Sequence, residues 1–170
     1  MLPTVEWKGD HIVMVDQRKL PRQEIYVECR TAKEVARAIE RMVIRGAPAI
    51  GIAAAMGLAL GIKRSKAKGT GSLATEFYRL CEMLGETRPT AVNLFWAINR
   101  MKDVFSTGIR SGQPPESIRE SLVEEAQRIH DEDVESCRRM GAFGSKVIPD
   151  EGTVLTHCNA GALATGGYGT

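Results

Sequence analysis

Residues 44–62 read IRGAPAIGIAAAMGLALGI, and the fold turns on them. After the turn RGAP, residues 49–62 carry almost only apolar side chains, many of them Ala or Gly. A helix with side chains this small lets neighbouring backbones approach closely, so it is expected at the centre of its domain. It is not a membrane span. The apolar run over 47–62 is interrupted by Pro48 and several glycines and falls short of the roughly 20 residues a bilayer requires.

The flanking segments supply its packing partners. Two apolar runs, HIVMV at 11–15 and EIYVEC at 24–29, enclose the polar DQRKLPRQ at 16–23, the pattern of a short antiparallel hairpin. Thr31 and Glu34 form a capping-box pair. Val35, Ala38, Ile39, Met42 and Val43 follow at helical spacing, which predicts an amphipathic helix ending near Ile44. Leu73, Phe77, Leu80 and Leu84 mark another helix, and Pro89 is expected to head a fourth that carries Val92, Phe95, Trp96 and Met101. Ser117, with Glu120 three residues on, is expected to cap a long fifth helix that buries Ile118, Leu122, Ile129 and Val134 and reaches Met140. The run KRSKAKGTGS at 63–72 is read as a solvated loop rather than a nucleic-acid patch.

Composition then changes. Gly141, Gly144, Pro149 and Gly152 mark a boundary, residues 153–157 form a short β-prone run ending at Cys158, and NAGALATGG follows like a turn entering a helix. The expected fold class is α/β. A small amino-terminal strand-plus-helix domain, mostly helical, occupies 1–145, and 146–170 begin a Rossmann-like parallel-sheet domain, truncated after its first βα step. A lone strand cannot satisfy its own backbone groups, so a partner segment from a missing carboxy-terminal domain is expected.

A chain of 170 residues is long enough for one domain with a real core, and 43% hydrophobic with 26% charged residues is the balance of a globular protein. Twenty-three basic against twenty-one acidic residues leave a net charge of +2, too small to argue for a nucleic-acid partner, so any anion recognised is a small one. Residues 1–10 include Glu6, Lys8 and Asp10 and lack the apolar run of a secretory signal, which makes a cytoplasmic location the expectation. The four cysteines are widely spaced and include no CxxC pair, so neither a metal site nor a disulfide framework is expected.

Three short motifs could carry chemistry. In Arg45-Gly46-Ala47-Pro48 a guanidinium precedes a glycine turn and a proline suited to starting a helix. The partial positive charge and open amides of a helix start attract phosphate, and Arg45 adds charge-assisted hydrogen bonds. An ordinary turn with a surface arginine is the alternative. Arg88-Pro89-Thr90 repeats the device, and two such starts could converge on one phosphate. The third motif, His157-Cys158-Asn159-Ala160-Gly161, lies at the carboxyl end of the expected parallel strand, where open α/β sheets place ligands. Near a helix start the Cys158 thiolate would be favoured. His157 points to the opposite face of such a strand and is read as structural. Cys29, Cys81 and Cys137 are read as buried and inert. NAGALATGG lacks the G-x-G-x-x-G spacing of a dinucleotide loop.

Together, LPRQ at 20–23, IRGAPAIGIAAAMGLAL at 44–60, RPTAVNLFWAINRM at 88–101 and LTHCNAGALAT at 155–165 resemble the methylthioribose-1-phosphate isomerase family. That family belongs to the superfamily shared with the regulatory subunits of the initiation factor 2B exchange factor. The resemblance implies an aldose-to-ketose isomerisation of 5-methylthioribose 1-phosphate in methionine salvage, a homodimer when complete, and no metal or organic cofactor. It carries Arg45, Gly46, Ala47 and Arg88 onto substrate-binding positions and Cys158 onto the active-site cysteine. The family's catalytic aspartate belongs to the carboxy-terminal domain, so this chain alone is expected to be inactive. Two alternatives share the resemblance: a non-catalytic regulatory subunit, and an isomerase of ribose 1,5-bisphosphate or 5-deoxyribose 1-phosphate.

Overall fold

A computed structural model describes residues 4–169; residues 1–3 and 170, the outermost ends of the two expected segments, lie outside it. Three antiparallel strands, β1 Val5–Lys8, β2 His11–Val15 and β3 Tyr26–Cys29, form one sheet in that order. The expected hairpin is present, with Ile12 opposite Cys29 and Met14 opposite Val27. Alternation puts Ile12 and Met14 on the buried face. β1 was not anticipated. Glu6 and Lys8 mask its alternation, and it forms because β2 offers it a second edge, with Val5 opposite Met14.

Five helices follow: α1 Ala32–Glu40, α2 Ala47–Lys63, α3 Thr70–Glu86, α4 Val92–Arg110 and α5 Pro115–Gly144. α2 is buried on every side along almost its whole length and packs against the other four helices and the sheet. Its glycines set those distances: a Cβ on Gly51 would stand 2.7 Å from the Asn93 carbonyl oxygen of α4, and one on Gly57 would stand 2.9 Å from Val35 of α1. Arg119 of α5 closes the far end of α2. Its guanidinium donates to the carbonyls of Ile62, Ser65 and Ala67, a cation placed on the negative end of the helix. Of the loop expected over 63–72, only residues 64–69 are irregular: Lys63 ends α2, and Thr70 already opens α3. Among the described residues, no helix is long and apolar enough to cross a membrane.

Several expectations need correction. The Thr31–Glu34 capping box is present, but α1 stops at Glu40, so Met42 and Val43 lie beyond it. α4 starts at Val92, and Pro89 instead occupies a turn closed by the Ala91 amide donating to the Arg88 carbonyl at 2.9 Å. α5 starts at Pro115, two residues before Ser117, because proline's fixed φ already suits a first helical position; Ser117 therefore lies within the first turn and caps nothing. α5 also runs past Met140 to Gly144. Finally, residues 153–157 form no strand. They run exposed, with no ladder partner among the described residues, and the expected helix after Cys158 is reduced to a single 3₁₀ turn, Ala162–Ala164. An extended segment with unpaired amides and carbonyls gains nothing over solvated coil.

Candidate functional site

The start of α2 leaves its terminal charge uncompensated. Gly46 occupies its N-cap with φ 105° and ψ 135°, a conformation essentially reserved for glycine, and Pro48 sits in the first turn. No side chain caps this end and no acidic residue stands in its first turn, so the partial positive charge of the helix is left open. Gly46 also has no room for a side chain: a Cβ would stand 2.3 Å from Ala164 Cα and 2.6 Å from its carbonyl oxygen. The 162–164 turn thus packs directly onto the helix start.

Polar contacts hold that turn in place. Gln17, 4% exposed, donates from Nε2 to the Leu163 carbonyl at 2.7 Å and to the Arg45 carbonyl at 3.4 Å, while its own amide donates to the Val43 carbonyl. Thr4 donates to the Ala162 carbonyl at 2.6 Å. On the other side, Asp133 of α5 accepts from the Gly166 amide at 2.6 Å and His130 lies 2.9 Å from the Gly166 carbonyl. Sequence reasoning missed Gln17 altogether. It sits in a polar hairpin turn, and nothing local shows that two distant segments converge on it.

One cleft of about 430 Å³ brings together Arg45, Gly46, Ala47, Arg88 and Cys158. All five sequence-derived candidates therefore share one site, joined by Thr90, Asn93 and Asn159 as neutral hydrogen-bonding groups and by Met42, Ile50 and Val92 as apolar ones. Among the described residues no carboxylate lines the cleft, so its two guanidinium groups are unopposed. Arg88 Nη1 is buried and has no hydrogen-bond partner. A buried donor left unpaired costs about 1–3 kcal/mol. A neighbouring concavity of about 450 Å³, between α2, α4 and α5, carries Glu132 and Asp133 and suits an anion poorly.

Cys158 is exposed and adopts φ 64°, whereas the other three cysteines are buried. Burial pushes the Cys29 thiol up to about 11 and Cys81 to about 12, and it raises Cys137 as well. Those three are poor nucleophiles where they stand. His157 is exposed and does not line the cleft. No group of three or more His, Cys, Asp or Glu side chains among the described residues could hold a metal ion.

Fold and cleft define a class: a helical domain with a small sheet, carrying an arginine-lined cleft between the start of its central helix and a cysteine-bearing turn. The model of the initiation factor 2 subunit family matches residues 43–166, and the chain belongs to that family. It is 54% identical over 170 residues to a methylthioribose-1-phosphate isomerase of Koribacter versatilis, covering all of this chain and 48% of the relative. It is 52% identical over 167 residues to the same-named protein of Geobacter sulfurreducens, covering 98% and 48%. The crystal structure of 5-methylthioribose 1-phosphate isomerase from Pyrococcus horikoshii superposes with a TM-score of 0.93 at 48% identity, over the whole of this chain and 47% of that one. The subunit delta structure of translation initiation factor eIF-2B from A. fulgidus gives 0.85 at 37% identity, over 99% of this chain and 48% of that one. The chain thus spans about half the length of the relatives it matches.

Proposed function

We propose that this chain is the amino-terminal part of an isomerase that converts 5-methylthioribose 1-phosphate into 5-methylthioribulose 1-phosphate, a step of methionine salvage. The observation that carries the reading is the convergence of Arg45, Arg88 and Cys158 on one cleft that no carboxylate among the described residues lines. The phosphate binds to Arg45, Arg88 and the backbone at Gly46 and Ala47, where charge-assisted hydrogen bonds and the start of α2 act together. This sets C1 and C2 of the sugar beside Cys158.

The chemistry has one particular obstacle. The anomeric oxygen carries the phosphate, so the ring cannot open by losing a hemiacetal proton and needs an acid at the ring oxygen. Among the described residues no carboxylate lines the cleft. The acid is therefore assigned to a carboxy-terminal Rossmann-like domain, of which residues 153–157 would be the first strand once a neighbour pairs with them. Cys158 then either carries the proton between C2 and C1 through an enediol or stabilises charge while hydrogen migrates as hydride. The complete protein is a cytoplasmic homodimer in this reading, and the chain alone is inactive.

The likeness to the initiation-factor subunit favours a second reading, a regulatory subunit that binds a sugar phosphate without converting it. An exposed thiol inside the anion cleft favours catalysis. The full-length protein is tested for conversion of 5-methylthioribose 1-phosphate to the ketose, with Cys158→Ala alongside. Turnover abolished by the substitution supports the isomerase. Binding without turnover in the unsubstituted protein replaces it with the regulatory reading.

A further inference from the structure

Only two non-glycine residues among those described have positive φ, Met42 at 55° and Cys158 at 64°, and both line the same cleft. Met42 follows the end of α1. The Met42 amide donates to the Ile39 carbonyl at 3.1 Å and the Val43 amide to the Ala38 carbonyl at 2.9 Å. This pair of bonds is the Schellman closure of a helix, in which the left-handed position normally belongs to glycine. Methionine there is strained by its Cβ. Nor is it held by core packing, since Met42 is 49% exposed. Glycine would serve the fold better, so the side chain calls for another explanation.

The cleft supplies one. Its guanidinium groups are matched to the charged end of a sugar phosphate, while Met42, Val92 and Ile50 present apolar surface in the same cavity. Its volume of about 430 Å³ falls within the range of about 300–1,000 Å³ of small-ligand sites. We infer that Met42, with Val92 and Ile50, forms the wall that seats the 5-methylthio group, and that Met42 sets the preference for an apolar 5-substituent over a hydroxyl or a phosphate. This rests on the isomerase reading above. A flexible, polarizable thioether suits contact with another thioether, and exclusion of water from both adds hydrophobic stabilisation.

The test uses the full-length protein and the variants Met42→Gly and Met42→Lys. Met42→Gly raises the urea midpoint, because glycine relieves the left-handed position. It lowers kcat/KM for 5-methylthioribose 1-phosphate by about tenfold while leaving the inhibition constant of ribose 1-phosphate within about twofold, the discrimination expected from one apolar contact. Met42→Lys keeps an unbranched side chain, ends it in a cation, and shifts selectivity toward ribose 1,5-bisphosphate as inhibitor. Unchanged kcat/KM in Met42→Gly overturns the inference, and so does a parallel weakening of ribose 1-phosphate, which would make Met42 a general support of the cleft. If the unsubstituted protein turns over no substrate, the isomerase reading itself fails and the inference falls with it; that result is distinct from either of the others.

Discussion

Gly46→Ala tests the construction of the cleft most directly. At φ 105° and ψ 135°, a Cβ carries a backbone penalty of about 1–3 kcal/mol. The Cβ would also stand 2.3 Å from Ala164 Cα, where ordinary contact begins near 3.4 Å, so the 162–164 turn must retreat by more than an ångström. That retreat breaks the bonds from Gln17 to the Leu163 carbonyl and from Thr4 to the Ala162 carbonyl. At about 0.5–1.5 kcal/mol each, the two bonds bring the total loss to about 2–6 kcal/mol with the backbone penalty. Urea unfolding of this chain measures the loss, and hydrogen exchange locates it. The Ala164 and Thr165 amides, bonded to the Gly161 and Ala162 carbonyls, should lose protection while α2 from Ile52 onward keeps it. A variant within about 0.5 kcal/mol of the parent, with both amides still protected, would refute the packing of the turn on the helix start.

Further outcomes follow from the same structure. Iodoacetamide at about pH 8 should alkylate Cys158 in the folded chain and reach Cys29, Cys81 and Cys137 only after unfolding; mass spectrometry showing native labelling at Cys81 would contradict its burial. Arg18 donates to both carboxylate oxygens of Asp16, at 2.8 and 2.7 Å, and holds that carboxyl below its ordinary value of 3.8. A carboxyl lowered by folding adds stability above its unfolded value, and that stability is lost as the pH falls through the lowered one, so Asp16→Asn should flatten the acid limb of a stability-against-pH curve. Burial pushes the Asp133 carboxyl up, which gives the opposite sign: its contribution is complete below 3.8 and fades as the pH rises through the raised value. In α2, Gly51→Ala should destabilise by about 1–3 kcal/mol, because its Cβ would press on the Asn93 carbonyl of α4. Gly71→Ala in α3 meets nothing within 4 Å and should stabilise by about 0.5 kcal/mol; equal effects at the two sites would show that helix propensity, not helix approach, governs both.

The sequence made the central helix legible because no amphipathic element could be apolar on all faces, and the Thr31–Glu34 box because both partners are local. Signals of one residue type failed where a competing local structure used the same residue. Pro89 serves a turn as readily as a helix start, and Ser117 lost its role once Pro114 and Pro115 opened α5 earlier. β1 stayed hidden because its evidence is the neighbouring strand rather than its own pattern. The five residues that line the cleft together were legible as separate arginine-turn and cysteine motifs, but Gln17 and Met42 were not. Met42 looked like one more position of an apolar stripe, and only the stop of α1 at Glu40 turns it outward.

The two walls of the cleft are fixed by different physics. Arg45, Gly46 and Ala47 ride on the start of α2, whose burial on all sides leaves it no freedom to move without repacking four helices. Cys158 has no strand behind it. It precedes a turn held by Gln17 and Thr4 on one side and by Asp133 and His130 on the other, all through carbonyls and amides of residues 162–166. Each such bond is worth only about 0.5–1.5 kcal/mol, so the distance from thiol to guanidinium depends on a clamp that is weaker than the core beside it. Pairing of residues 153–157 with a neighbouring strand would add ladder bonds immediately before Cys158 and fix the thiol from the other direction. In the proposed complete protein, the second domain would therefore supply more than the missing acid: it would convert the position of the cysteine from one set by a polar clamp into one set by a sheet.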